Sequence, residues 1–501
     1  MELDPSIPGL QTPLPAHPIL FTPPLGILEP VAPGPASRYN HRMQRLLDYL
    51  KQHRRRFLDE LCEYLRFPSV SAQPAHRKDL AQCARWLERH CRGMGLQAKL
   101  RPTSGNPVLL ASTPKVKGSG KPHYIVYGHY DVQPADPFDL WKTPPFEPRI
   151  QGRSLIARGA SDNKGQHFAH LKAVEAFLKT GTDLPCDITF LIEGEEEVGS
   201  DNLPRFLTQN RALLKGDGVV VSDNGMPGLN QPSLTYALRG VVAMEIELRG
   251  PNRDLHSGIY GGAVDNPAMV LCQLLARLRD ARGKIKIPGF YAKVRPLKAF
   301  ERKQVSQGRE TDASLARFLG VPKLFGEAGY NHVEQRTARP TLEINGLTSG
   351  YQGDGSKTIV PSWARAKLTF RIVPDQDPKE IVALVQRHLQ RVCPPTVTFH
   401  LEPGHAGNAY QVAPDGPQAQ AALRALRTAF GTKPALKREG GSIPIVEDFK
   451  RRLGMDTLLL GLALPDDNPH SPNEKFNLDC FETGMAMSAH LWRELAGCGP
   501  R

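Results

Sequence analysis

Short apolar runs recur along the chain, and several end in acidic residues or histidine. Tyr124-Ile-Val-Tyr-Gly-His129 runs into Asp131, Ile188-Thr-Phe-Leu-Ile into Glu195, Glu196 and Glu197, and Gly218-Val-Val-Val into Asp223. Between such runs the apolar positions take helical spacing. Leu46, Leu47, Leu50, Phe57, Leu58, Leu61 and Leu65 predict a helix over about Arg42–Arg66. Further helices are predicted over Asp79–Met94 and Gly165–Leu178, with strands at Gln97–Leu100 and Val108–Ser112. This alternation predicts a layered α/β domain with a largely parallel sheet.

The pattern changes near Tyr236. Val241–Leu248 predicts a strand, Asn266–Asp280 an amphipathic helix, Thr341–Ile344 and Arg365–Val373 two strands, Asp377–Val392 a helix and Thr396–Leu401 a strand. That order is the ferredoxin-like β-α-β-β-α-β pattern. Gly283–Pro340 predicts a long irregular insertion within it. The first grammar returns with a helix at Pro417–Phe430, a strand at Thr457–Leu464 and a closing helix at Asp479–Leu495. The expected class is therefore α/β. A layered domain of residues 42–235 and 414–501 is interrupted by a ferredoxin-like α+β lid at residues 236–413. Residues 1–41 are expected to be a Pro-rich arm, since residues 1–37 contain ten prolines and no lysine or arginine. The arm lacks the basic start and apolar core of a secretory signal.

Composition narrows the classes. The chain has 501 residues, of which 40% are hydrophobic and 23% charged, as in globular proteins. No apolar stretch approaches the roughly 18 residues of a membrane span. The net charge of +13 is scattered, and the longest basic run, His53-Arg-Arg-Arg56, falls in a predicted helix. Neither a nucleic acid nor a membrane is an expected partner. The eight cysteines form no CxxC pair, which fits reduced thiols and a cytoplasmic location.

Ligands in open α/β sheets bind outside the carboxyl ends of strands. There His129, Asp131, the Glu195–Glu197 run and Asp223 would converge. So many carboxylates in one crevice repel one another unless cations sit among them. The ligand number suggests two ions. With no cysteine in the set, oxygen and nitrogen ligands remain, which suit zinc first, then manganese or cobalt. Each motif alone has an ordinary explanation: Asp162 as a helix N-cap, Asp223-Asn-Gly225 as a turn, the glutamates as a solvated loop. Their joint occurrence in one domain carries the reading.

The set His129-Tyr-Asp-Val-Gln-Pro134, Arg158-Gly-Ala-Ser-Asp-Asn-Lys-Gly165 and Glu193-Gly-Glu-Glu-Glu-Val-Gly-Ser200 resembles the M20 metallopeptidases, in their cytosolic and carnosine-type dipeptidase branch. Ser222-Asp-Asn224, Asp254-Leu-His-Ser-Gly-Ile-Tyr-Gly-Gly262, Arg438-Glu-Gly-Gly-Ser-Ile-Pro444 and His470-Ser-Pro-Asn-Glu474 extend the resemblance from about residue 43 onward. It implies that Asp162 bridges two divalent ions, with His129 and Asp223 on one and Glu197 and His470 on the other. It implies that Asp131 orients His129, that Glu196 is the general base and that Glu195 fills a variable position. It also implies a cis peptide between Asp162 and Asn163. His256 would stabilise the oxyanion and, with Thr358, would reach the site from the partner of a homodimer built through the lid. Arg371 would take the substrate carboxylate, and Gly440-Gly-Ser442 would let backbone approach the substrate. The implied activity is hydrolysis of dipeptides or similar small amides. An N-acyl-amino-acid deacylase is the first alternative, although the long Gly283–Pro340 segment looks more like the dipeptidase branch. A non-catalytic binding protein that kept the fold is the second.

Overall fold

Strand His123–His129 is buried along its whole length and lies inside a nine-stranded sheet. The structure is a computed structural model that describes residues 35–114, 119–305, 311–441 and 443–499. The chain divides into two compact units, Met1–Gln44 and Arg45–Arg501. Of the first, the described residues are the opening of helix Pro35–Gln52. The expected Pro-rich arm falls mostly on residues 1–34, outside the described residues. The second unit contains every strand among the described residues.

The large sheet runs in the order Gln97–Arg101, Val108–Ser112, Asp187–Glu193, His123–His129, Gly218–Val221, Thr457–Leu459, Ser233–Leu238 and Tyr410–Gln411, and Ala435–Glu439 also pairs with Ser233–Leu238. Its middle is parallel: Asp187–Glu193, His123–His129, Gly218–Val221 and Thr457–Leu459 all point the same way. Parallel strands are covered on both faces, which explains their unbroken apolar character. On one face Ile125, Tyr127, Val219 and Val221 pack with Phe206, Leu207, Val446 and Phe449. Helix Leu478–Leu495 packs against Gly165–Thr180 and Pro417–Phe430. Gly128 is required where it stands, because a Cβ there would lie 2.8 Å from the His167 ring.

A second sheet is antiparallel, in the order Thr341–Ser349, Trp363–Ile372, Gly240–Arg249, Thr398–Gly407. The first strand in the chain, Gly240–Arg249, pairs with the third and fourth, and the second lies at the edge, the split β-α-β arrangement. Val242, Met244, Ile246 and Leu248 face a core shared with helices Pro267–Arg277 and Pro378–Val392. The opposite face bears Arg365, Lys367, Thr369 and Arg371, none of them fully buried. The chain leaves the large sheet after Leu238 and returns to it at Tyr410, and these two residues are ladder partners.

Several boundaries differ from expectation. The helix expected from Arg42 begins at Pro35, where proline at the first helical position has no intrahelical N–H to lose. It ends at Gln52, and Arg54–Leu65 follows as a separate helix. His53, at φ −99° and ψ 7°, forms the break while its carbonyl still accepts from Phe57 N at 3.0 Å. The Gly283–Pro340 segment carries helices Ala299–Val305, Asp312–Leu319 and His332–Thr337. The carboxylate of Glu301 anchors it to the large sheet, accepting from Tyr236 Oη at 2.8 Å and Arg438 Nη1 at 2.7 Å.

Candidate metal centre

Adjacent parallel strands deliver their following loops to one place. His129 closes its strand, Glu196 and Glu197 follow Asp187–Glu193, and Asp223 follows Gly218–Val221. His470 lies in the loop after Thr457–Leu459, and Asp162 in the turn that opens helix Gly165–Thr180. At Asp162 the backbone is non-helical (φ −121°, ψ 93°), and the Asp162–Asn163 peptide is cis, as the family resemblance implied.

The side chains form two groups that share Asp162: His129, Asp162 and Asp223, and Asp162, Glu197 and His470. His129 Nε2 lies 3.2 Å from Asp162 Oδ1 and 3.7 Å from Asp223 Oδ2. His470 Nε2 lies 2.9 Å from Asp162 Oδ2 and 3.4 Å from Glu197 Oε2. His129 is fully buried, whereas the His470 side chain is 56% exposed, so the centre opens to solvent on that side.

The donor set fits divalent ions. His129 Nδ1 lies 3.0 Å from the Asp131 carbonyl oxygen, its hydrogen-bond partner, so the ring presents Nε2 to the carboxylates. Nε2 is buried and has no hydrogen-bond partner. A buried ring nitrogen facing two carboxylates is a place for positive charge, a proton or a metal cation. The carboxylates show the repulsion that a cation would relieve. Burial, then the charge of Asp162, pushes Glu197 up to about 8. Burial, aided by Asp223 and Asp162, pushes Glu196 up to about 7. Asp223 is raised as well, mainly by burial. Burial opposes the Asp162 charge, but the imidazoles of His129 and His470 hold its carboxyl below the usual range.

Neighbouring groups fix these side chains. Asp131 is fully buried, and its carboxylate accepts from the backbone of Glu196 at 3.3 Å and Glu197 at 3.1 Å. Asn163 Nδ2 donates to Asp223 Oδ1 at 3.0 Å, and Gln133 Nε2 to Glu197 Oε2 at 2.8 Å. Sequence reasoning assigned no role to Asn163 or Gln133, although both stand inside the quoted motifs. Glu195 turns away from the ligands: it accepts from Asn106 N at 2.9 Å and from Asn202 Nδ2 at 2.8 Å.

The candidates His256, Thr358 and Arg371 belong to the insertion between Leu238 and Tyr410. His256 is exposed and pairs with Ile359 across a short ladder, beside Thr358, whose carbonyl accepts from Ser257 N at 3.1 Å. Neither belongs to the ligand groups. Arg371 is half-buried on the open lid face, opposite Val241 and Thr341. Burial and the nearby Arg371 charge bring Arg239 down to about 10, and Arg239 Nε donates to Gly440 O at 3.1 Å. Arg239, which precedes the strand paired with that of Arg371, thus reaches the glycine turn before Ser442. Ser442 itself is outside the described residues.

Comparison with known proteins gives a concordant result. The profile of peptidase family M20/M25/M40 matches residues 125–494. The Cys-Gly metallodipeptidase DUG1 of Candida albicans is 33% identical, over 88% of this chain and 95% of its own. The Beta-Ala-His dipeptidase of Homo sapiens is 30% identical, over 94% of this chain and 95% of its own. The solved structure of the dipeptidase Dug1p from Saccharomyces cerevisiae superposes with a TM-score of 0.73 at 30% identity, covering 91% of this chain and 99% of that one.

Proposed function

The chain belongs to peptidase family M20/M25/M40, and on that premise we propose that it hydrolyses the peptide bond of dipeptides, using two divalent metal ions. The observation that carries this reading is the pair of ligand groups joined through Asp162. His129 and Asp223 would hold one ion, Glu197 and His470 the other, with Asp162 common to both. Ions held in this way polarise the scissile carbonyl and supply an activated water. Zinc is the first choice of metal, with manganese or cobalt as alternatives.

The remaining steps fall to side chains. Glu196 stands beside Glu197, and burial pushes its carboxyl up to about 7. It would take a proton from the attacking water and deliver it to the leaving amine. His256 Nδ1 accepts from Gly258 N at 3.0 Å, which leaves Nε2 as the ring atom that would serve as the oxyanion donor. Thr358 would stand with it. Arg371 offers a planar fork to the substrate carboxylate, and Ser442 would complete the substrate contacts.

We take the ferredoxin-like insertion, expected at residues 236–413, as a lid that also forms a homodimer. Its outer strand Thr341–Ser349 is paired on one side only and exposes Ile344 and Leu347. Ile259 and Tyr260, three and four residues after His256, and Met269 on helix Pro267–Arg277 are exposed too. A partner lid would cover such a surface and bring its His256 and Thr358 to the neighbouring centre. All eight cysteines are free, which supports a cytoplasmic location.

The test is turnover of a panel of dipeptides and N-acetyl-amino acids by metal-stripped protein resupplied with zinc, manganese or cobalt. Metal-dependent dipeptide cleavage is the expected result, and cleavage of the N-acetyl compounds alone would replace it with the deacylase reading. Mixing inactive His256→Ala protein with inactive Glu196→Gln protein should restore part of the activity. No recovery despite subunit exchange would place His256 outside its partner's site.

A further inference from the structure

Glu474 is 1% exposed, and its carboxylate takes five donors from one short stretch of chain. Oε2 accepts from Arg158 Nη1 at 2.8 Å and Gly159 N at 2.8 Å. Oε1 accepts from Ser161 N at 2.9 Å, Ser161 Oγ at 3.2 Å and Asp162 N at 3.0 Å. These donors make up the turn that ends in Asp162. The backbone of Glu474 adds a further tie, its carbonyl accepting from Ala157 N at 3.0 Å.

Glu474 closes the loop that carries His470. That loop is conformationally demanding: Asn468, His470 and Asn473 adopt left-handed backbone at φ 54°, 60° and 61°. Residues with a side chain stay in that region only where the surroundings hold them. Asn473 is held by Lys142 N at 2.8 Å and by its own bond to Leu140 O at 2.9 Å. Glu474 is held by the Asp162 turn. One buried carboxylate therefore sets where the His470 loop lies relative to Asp162. His129 is supported by Asp131, outside that turn, and Asp223 by Asn163, the residue after Asp162.

We propose that Glu474 is a positioning residue for the metal centre and weighs most on the Asp162–Glu197–His470 half, because it sets the His470 loop against the turn that carries the shared Asp162. This rests on the two-ion reading above. The carboxylate is the required chemistry because every group facing it is a donor. Glutamine would turn an NH2 towards those N–H groups, strand backbone donors and leave the buried Arg158 without its counter-charge.

The test is zinc titration of metal-stripped protein against a competing chromophoric chelator, for the native chain, Glu474→Gln and Glu474→Asp. The native protein should take two equivalents; failure to do so would overturn the two-ion reading rather than this one. Glu474→Gln should bind one equivalent at least tenfold more weakly than the native protein, within the roughly 10–100-fold range for outer partners of metal ligands, and the other with a smaller loss. Glu474→Asp keeps the charge on a shorter arm and should fall between. Should Glu474→Gln fail to fold, Glu474→Asp carries the same comparison. Two equivalents at native affinity, equal weakening of both, or loss of fold in both variants would each overturn the proposal.

Discussion

The backbone N–H of Glu197 donates to the carboxylate of Asp131 at 3.1 Å. The Glu196 N–H reaches the other oxygen of the same carboxylate at 3.3 Å. The Asp131 carboxylate lies 3.5 Å from His129 Nδ1, farther than the carbonyl of the same residue at 3.0 Å. Asp131 thus clamps two neighbouring strand ends together, with its main chain addressing the histidine and its side chain the glutamates. In Asp131→Asn one acceptor becomes a donor facing an N–H. Zinc affinity should fall about 10–100-fold in chelator competition. Native affinity in this variant would mean that the glutamate turn holds itself.

Glu196→Gln separates proton transfer from metal binding. The amide keeps the shape but cannot accept a proton, so kcat should drop by at least about 10²-fold. Metal content, read by mass spectrometry, should stay at the native value. If instead Glu197→Gln retains both metals and Glu196→Gln retains activity, the roles of the two glutamates are exchanged.

Substrate carboxylate recognition is read by comparing a dipeptide with its C-terminal amide. Losing the carboxylate leaves a cationic partner unmatched, so kcat/KM should differ by about 2–5 kcal/mol in the native protein. Arg371→Ala should shrink that gap, and Arg371→Lys should restore little of it, because a point charge does not reproduce the fork. Equal turnover of acid and amide by the native protein would rule out carboxylate anchoring.

Without metal, stability should fall as pH rises. Burial and the Asp162 charge push Glu197 from its ordinary 4.5 up to about 8. The hydrogen bond to Asp162 raises His470 from 6.5 to about 9. Both groups bind protons more tightly in the folded chain than in the unfolded one. The stability they contribute is complete below the unfolded values and is lost as pH climbs through the folded values. The melting temperature of chelator-treated protein should therefore decline between about pH 5 and 9. Saturating zinc should flatten the decline, because ion binding displaces those protons. A melting temperature that rises over this range in the metal-free protein would contradict the assignment.

The parallel strands and their acidic ends were legible because burial on both faces forces continuous apolar runs, and chemistry begins where those runs stop. The break at His53 was not, since the apolar spacing passes through it unchanged and only the backbone departs. The helices within Gly283–Pro340 are six to eight residues long, too short for a clear period. Strand Thr457–Leu459 is shorter than its apolar run, which continues through Leu460 and Leu462 as buried connection. The residues that gather in the two candidate groups could be picked out from their motifs. The role of Glu474 could not, because its donors lie more than 300 residues earlier in the chain.

Leu238 and Tyr410 face each other across an antiparallel ladder, yet the whole second sheet lies between them in sequence. For the host sheet, the intervening chain is equivalent to an enlarged hairpin turn. The entropy of closing such an excursion grows only slowly with its length. The excursion can therefore lengthen, shorten or be exchanged while strands His123–His129 and Gly218–Val221 keep their register. The candidate metal ligands all stand in the host part of the chain, and the excursion that carries His256 and Arg371 begins and ends beside the Leu238–Tyr410 rung.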